Sequence, residues 1–118
     1  MKSNTLISVI TPVYNEENNI QPFLDRLIPV LEKITTKYEI IFSVDPCTDD
    51  TENIIMKNIE QNSSIKLLMM SRRFGQPAAT QAGILNCHGD YCVVIDVDLQ
   101  DPPELIEEMY QNAMNGYE

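Results

Sequence analysis

The chain has 118 residues, 43% of them hydrophobic, and eight basic side chains against 18 acidic ones give it a net charge of −10. That is enough chain for one modest domain with a core, and the apolar content excludes a disordered polymer. The acidic balance argues against nucleic acid or an anionic membrane surface as a direct partner, and an anionic substrate would be repelled unless a divalent cation or local positive groups intervened.

Strand and helix patterns alternate four times. Residues 6–13 are an apolar, β-rich run closed by the turn-like Tyr14-Asn15-Glu16-Glu17. Ile20, Phe23, Leu24, Leu27, Ile28, Leu31 and Ile34 then recur at helical spacing. Asn18 and Gln21 have the spacing of a capping box for that helix, and Pro29 is expected to kink or shorten it. Residues 39–44 form the second strand. A loop follows, and Asp49-x-x-Glu52 has the form of a cap for a helix over 51–61. Residues 65–70 form the third strand. After the loop 71–76, Pro77 is acceptable in the first turn of a helix over 78–86. Gly89-Asp90 turns the chain into a fourth strand, 91–95. Asp101-x-x-Glu104 opens a last helix with Leu105, Ile106, Met109, Tyr110 and Ala113 on its inner face.

Nearly continuous apolar strands, each followed by a helix, predict an α/β domain with a mostly parallel sheet and helices on both faces. Right-handed crossovers place every strand's carboxyl end on one edge, where ligands of such sheets bind. No apolar run approaches the roughly 20 residues of a membrane helix, and residues 1–5 are too short and polar for a secretory signal. Cys47, Cys87 and Cys92 contain no CxxC pair. They read as small buried or loop residues, free thiols in a reducing cytoplasm, with no zinc site.

The segments just past the predicted strand ends are polar: Tyr14, Asn15 and Glu16; Asp45; Ser71, Arg72 and Arg73; Asp96-Val97-Asp98. In an extended segment Asp96 and Asp98 point the same way. Two adjacent carboxylates repel unless a cation lies between them, and Mg²⁺ or Mn²⁺ held this way keeps room for phosphate oxygens. The bland reading is a solvated loop pair or a helix cap. Asp45 accepts a hydrogen bond from a base or ribose, or forms an Asx turn beside Pro46. Arg72 and Arg73 clamp a phosphate or base, or lie on a solvated face. Asn15 and Glu16 also fit plain turn roles, Asp101 reads as a cap, and His88 as a turn residue.

The residues resemble the glycosyltransferases of family 2 along nearly the whole chain. Ile7-Ser8-Val9-Ile10-Thr11-Pro12-Val13-Tyr14-Asn15-Glu16-Glu17 resembles their opening strand and loop. Asp45-Pro46-Cys47-Thr48-Asp49-Asp50-Thr51 resembles their Asp-Gly-Ser-x-Asp-x-Thr loop, although Pro46 and Cys47 replace Gly and Ser, and Val44 stands where many members have a first Asp. Ser71-Arg72-Arg73-Phe74-Gly75-Gln76, with Ala82-Gly83, resembles a third signature. Asp96-Val97-Asp98-Leu99-Gln100-Asp101-Pro102-Pro103-Glu104-Leu105-Ile106 resembles the DxD region. The last two are nearest the branch with polyprenol-phosphate mannosyl- and glucosyltransferases.

The resemblance implies a Rossmann-like GT-A fold, truncated, with residues 1–118 forming the nucleotide-sugar-binding half and the acceptor side missing. It implies an inverting, metal-dependent transfer from a UDP- or GDP-sugar to a lipid phosphate, such as polyprenyl phosphate, or to a saccharide. Pro12 and Tyr14 would line the base pocket with Glu16 nearby. Asp45 would contact the base and Arg72 would flank the nucleotide. Asp96 would meet ribose or the metal shell, and Asp98 would ligate Mg²⁺ or Mn²⁺. The catalytic base would lie beyond residue 118, so no residue here is assigned as catalytic and the fragment alone would transfer nothing. A cytoplasmic location follows, at the membrane's cytoplasmic face in the longer protein, and the cut sheet edge invites self-association. Two other classes compete: a Mg²⁺-dependent phosphohydrolase with Asp96 as nucleophile, and a binding or scaffold domain without chemistry.

Overall fold

The computed structural model of the chain describes residues 3–98 and 104–114. Eight elements follow one another: β1 (Ser3–Val13), α1 (Ile20–Ile34), β2 (Thr35–Val44), α2 (Thr51–Gln61), β3 (Ile65–Met69), α3 (Gln76–Asn86), β4 (Tyr91–Val94) and α4 (Leu105–Met114). The strands form one parallel sheet in the order β3-β2-β1-β4. β1 is central and is buried from Ile7 to Val13, as a strand covered on both faces must be.

The two faces are unequal. Ile7, Val9 and Val13 of β1 and Ile40, Phe42 and Val44 of β2 join the main core with Phe23, Leu24, Leu27 and Leu31 of α1, Ile55 of α2, and Ile106 and Tyr110 of α4. Fully burying each large apolar side chain contributes about 1.5–3 kcal/mol. Phe23 meets Phe42 edge-on at 6.2 Å, and Tyr91 meets Tyr110 in the same way at 5.7 Å. Arg26–Glu104 and Lys33–Glu107 ion pairs bind α1 to α4 on the surface. The other face carries α3, which approaches closely because Gly83 has no Cβ. A methyl there would run into Ile10 and the Ser43 hydroxyl.

At the amino end of this α3 face lies a polar cluster. The Glu39 carboxylate, 2% exposed, accepts from the Ser8 hydroxyl, the Lys66 ammonium at 2.7 Å and the His88 backbone N–H at 2.6 Å. Burial pushes its pKa up, but these donors outweigh that and hold it at about 2.

Several local expectations are corrected. Both β1 and β2 begin earlier than the apolar runs suggest, because Thr35 pairs its hydroxyl with the Thr5 carbonyl and opens β2. The fourth strand ends one residue early, at Val94. Pro29 does not shorten α1: it sits on the exposed side, where water can serve the carbonyl its missing N–H leaves free. The capping box does not form. Asn19 is the N-cap and makes no side-chain cap bond, and Gln21 turns to Asp25 instead. Of the expected inner face of α4, Ile106 and Tyr110 are buried, whereas Leu105 and Met109 are about 40% exposed.

Candidate functional site

The chain winds β1–α1–β2–α2–β3 along one face, then crosses by α3 to place β4 on the other side of β1. The direction of winding therefore reverses between β1 and β4. At such a switch point the flanking loops part and leave a crevice beyond the carboxyl ends of the strands. A cavity of about 280 Å³ lies there, near the lower end of the range for ligand pockets, about 300–1,000 Å³. It is lined from the end of β1 and the turn after it by Pro12, Val13, Tyr14 and Glu16, from just past β2 by Asp45, from the β3–α3 connection by Arg73 and Gly75, from α3 by Gln76 and Ala79, and from beyond β4 by Asp96, Val97 and Asp98.

Asp45 is the most constrained of these side chains. It is 3% exposed, and its Oδ2 accepts the Gly75 backbone N–H at 2.9 Å. Gly75 has φ of +93°, a conformation that a side chain would oppose, so glycine is what allows this amide to face the carboxylate. The second oxygen, Oδ1, is buried and has no hydrogen-bond partner among the described residues. A buried acceptor without a donor is costly, so its position in a ligand cavity calls for an N–H or O–H from the occupant.

The Arg73 guanidinium lies 4.0 Å from the centroid of the Tyr14 ring, forming a flat cationic wall. Arg72, the arginine expected to flank a nucleotide, instead covers the Phe74 ring at 4.9 Å and does not line the cavity. The sequence offers both arginines, and Arg73 is the one that reaches the cavity; the neighbour of a strand end faces in or out according to a loop path that spacing does not determine. Gly75, Gln76 and Ala79 line the cavity without having been expected there. The run into Pro77 marks a helix start, and helix starts often face ligands.

Asp96 and Asp98 both reach the cavity, but not as alternate residues of a strand. β4 stops at Val94, and residues 97–98 form a turn anchored by buried Val97. Gln76 Nε2 donates to Asp96 Oδ1 at 2.9 Å and fixes that carboxylate. Among the described residues no group of three or more His, Cys, Asp or Glu side chains forms a metal cage. Two carboxylates facing a cavity still suit a hard cation such as Mg²⁺ or Mn²⁺, which takes one or two protein oxygens and completes its shell with water and phosphate. Asp101 lies outside the described residues.

The loops after β1 and β2 are laced together. Asn15, with φ of +50°, exchanges side-chain hydrogen bonds with Thr48, donating to its hydroxyl and accepting its backbone N–H. The Glu16 N–H donates to the Thr51 hydroxyl at 2.9 Å, and Asp49 accepts from Thr51 N at 3.0 Å. Cys47 accepts from Asn15 N and donates to the Asp45 carbonyl at 3.2 Å, so a thiol at this position joins the lacing as a hydroxyl would. Burial pushes the Cys47 thiol pKa up and keeps it protonated for that bond. Glu16 closes the rim by accepting from Asn19 at 2.6 Å.

The family model for glycosyl transferase family 2 matches residues 8–118. The chain belongs to glycosyltransferase family 2. An uncharacterized glycosyltransferase of Synechocystis is 39% identical over 112 residues, covering 95% of this chain and 35% of its own length. The undecaprenyl-phosphate 4-deoxy-4-formamido-L-arabinose transferase of Photorhabdus laumondii is 34% identical over 113 residues, again 95% of this chain and 35% of that protein. The chain thus spans about a third of the length of these relatives. A crystal structure of glucosyl-3-phosphoglycerate synthase from Mycobacterium tuberculosis, in complex with Mn²⁺, UDP and phosphoglyceric acid, superposes with a TM-score of 0.74 at 26% identity, covering 95% of this chain and 40% of that one. The family resemblance and the α/β, GT-A-type fold expected from sequence are borne out.

Proposed function

We propose that this chain is the nucleotide-sugar-binding part of a glycosyltransferase, and that the protein containing it transfers a sugar from a nucleoside-diphosphate sugar to a lipid phosphate. The observation that carries the reading is Asp45, which lines a cavity at the sheet's switch point and whose buried Oδ1 has no hydrogen-bond partner among the described residues. Uracil and guanine each offer a ring N–H to such an acceptor. Cytosine and adenine offer a ring nitrogen acceptor at the equivalent edge, which would repel it. UDP- and GDP-sugars are therefore the donor class.

Pro12 and Tyr14 support the base from β1, and Arg73 reaches over the Tyr14 ring towards the same space. Asp96, fixed by Gln76, and Asp98 would hold Mg²⁺ or Mn²⁺. A cation bound there would supply positive charge to the diphosphate as it departs. The metal also accounts for how a chain of net charge −10 accepts an anionic donor. The Mn²⁺ and UDP in the mycobacterial structure support this assignment. The relative named for undecaprenyl phosphate supports a polyprenyl phosphate acceptor, with transfer at the cytoplasmic face of a membrane. Among the described residues no helix is long and apolar enough to cross a membrane. Family membership favours glycosyl transfer over the phosphohydrolase and scaffold readings.

The test is calorimetric titration of the full-length protein with UDP, GDP, CDP and ADP, each with Mn²⁺. UDP or GDP should bind, CDP and ADP should not, and Asp98→Ala should remove the Mn²⁺ requirement along with most of the affinity. Equal binding of all four nucleotides, or none, would overturn the reading.

A further inference from the structure

Cys87 follows the last residue of α3, and Cys92 is the second residue of β4, at the end of the sheet opposite the cavity. Their sulfurs lie 2.9 Å apart, closer than unbonded sulfurs usually approach and within about 1 Å of a disulfide bond length. The connection between them is held from several sides. The His88 N–H is fixed on the Glu39 carboxylate at 2.6 Å, Asp90 N donates to the Leu6 carbonyl at 2.8 Å, and Asp90 Oδ2 accepts from Leu6 N at 3.1 Å. Gly89 packs so tightly on Ser8 that no Cβ would fit. The two thiols are therefore held face to face by the backbone around them. Cys92 is exposed and Cys87 half-buried, so a small molecule can reach the pair.

We propose that Cys87 and Cys92 form a redox modification site, a dithiol that closes to an intramolecular disulfide when a low-molecular-weight disulfide such as glutathione disulfide oxidises it. The Cys87 thiol gives its proton to solvent and attacks one sulfur of glutathione disulfide. The S–S bond breaks, a mixed disulfide forms on Cys87, and one glutathione leaves and takes up a proton. Cys92 then gives its proton to solvent and attacks the Cys87 sulfur, releasing the second glutathione. Two protein thiols are oxidised and one small disulfide is reduced to two thiols. The order follows from the environment: the desolvated side of Cys92, which lies against the protein although the residue is exposed overall, and next the neighbouring Cys87 sulfur push its thiol up to about 11, so it holds its proton and acts second. Two neighbouring thiols within reach of solvent, one able to resolve the other's mixed disulfide, are the usual form of a redox-responsive pair. The bond would fasten the end of α3 to β4.

Cleavage before aspartate tests this directly, because Asp49, Asp90 and Asp96 place the three cysteines on separate peptides, 45–48, 50–89 and 90–95. The full-length protein is treated with glutathione disulfide, blocked with N-ethylmaleimide, cleaved and weighed. Peptides 50–89 and 90–95 should appear joined and separate on reduction, with Cys47 alkylated. Cys92→Ser should trap glutathione on Cys87, and Cys47→Ser should change nothing. Closure in the folded protein should be at least about tenfold faster than in urea, because the fold raises the effective concentration of one thiol at the other. Alkylation of both Cys87 and Cys92, bonding of either to Cys47, or equal rates folded and unfolded would each overturn the proposal.

Discussion

The Asp45 carboxylate accepts the Gly75 amide across 30 residues of sequence and so couples the end of β2 to the loop that opens α3. One oxygen holds the loop that lines the cavity, and the other is buried with no hydrogen-bond partner among the described residues. Asp45→Asn should separate the two. The amide oxygen can still accept from Gly75, while the NH₂ group then faces the ligand as a donor. Nucleotide affinity should fall at least about tenfold, the loss of roughly one charge-assisted hydrogen bond, with little change in stability. Titration calorimetry beside urea denaturation checks both.

The two arginines should behave differently despite being adjacent. Arg73 walls the cavity over Tyr14, and Arg72 lies outside on Phe74. Arg73→Ala should weaken nucleotide binding roughly 5- to 30-fold, the equivalent of about 1–2 kcal/mol for a partly desolvated cation–π contact. Arg72→Ala should leave it within about twofold of wild type. A larger effect at Arg72 would show that the loop rearranges around the ligand.

Glu39 gives a pH dependence of defined sign. Its folded pKa of about 2 lies below the ordinary 4.5. A group depressed in this way contributes stability that is complete above the unfolded value and is lost as pH falls through the folded one. The loss should therefore run from about pH 4.5 down to about pH 2, with nothing further gained above that window from this residue. Glu39→Gln should cost about 3–4 kcal/mol at neutral pH, since each tenfold change in proton affinity between the folded and unfolded states is worth about 1.4 kcal/mol, and should flatten the acid limb. Urea unfolding at a series of pH values measures it.

Gly83→Ala places a methyl against Ile10 and the Ser43 hydroxyl. α3 would have to lift from the sheet, at about 1–3 kcal/mol for such overpacking. Because Gly75, Gln76 and Ala79 line the cavity, nucleotide affinity should fall as well. A thermal shift series with and without UDP separates the two effects.

What the sequence revealed depended on how local the cause was. The span of α1 was legible because Ile20, Phe23, Leu24, Leu27, Leu31 and Ile34 face one core at helical spacing. The convergence of Tyr14, Glu16, Asp45, Asp96 and Asp98 was legible because parallel topology forces strand ends together. Arg73 replaced Arg72 because loop direction is set by the Tyr14 ring, which comes from another segment. The start of β2 was missed because polar Thr35–Lys37 hold strand form through pairing with β1 rather than through their own character. The approach of Cys87 to Cys92 was hidden because it requires the α3–β4 turn to be pinned by Leu6, Ser8 and Glu39, more than 45 residues away.

The unequal coverage of the sheet has a dynamic consequence. α1, α2 and α4 share one apolar core, whereas α3 stands alone on its face with Ala79 and Gly83 buried and Leu85 76% exposed. Few apolar contacts mean a low free energy of local opening. The helix that carries Gln76 and Ala79 to the cavity is held by close backbone packing of small residues on β1 and β2 rather than by large apolar side chains. An occupant bridging Asp45, Arg73 and Asp96 would act as a clasp on it, and protection of α3 amides from hydrogen exchange would rise on binding more than in any other helix.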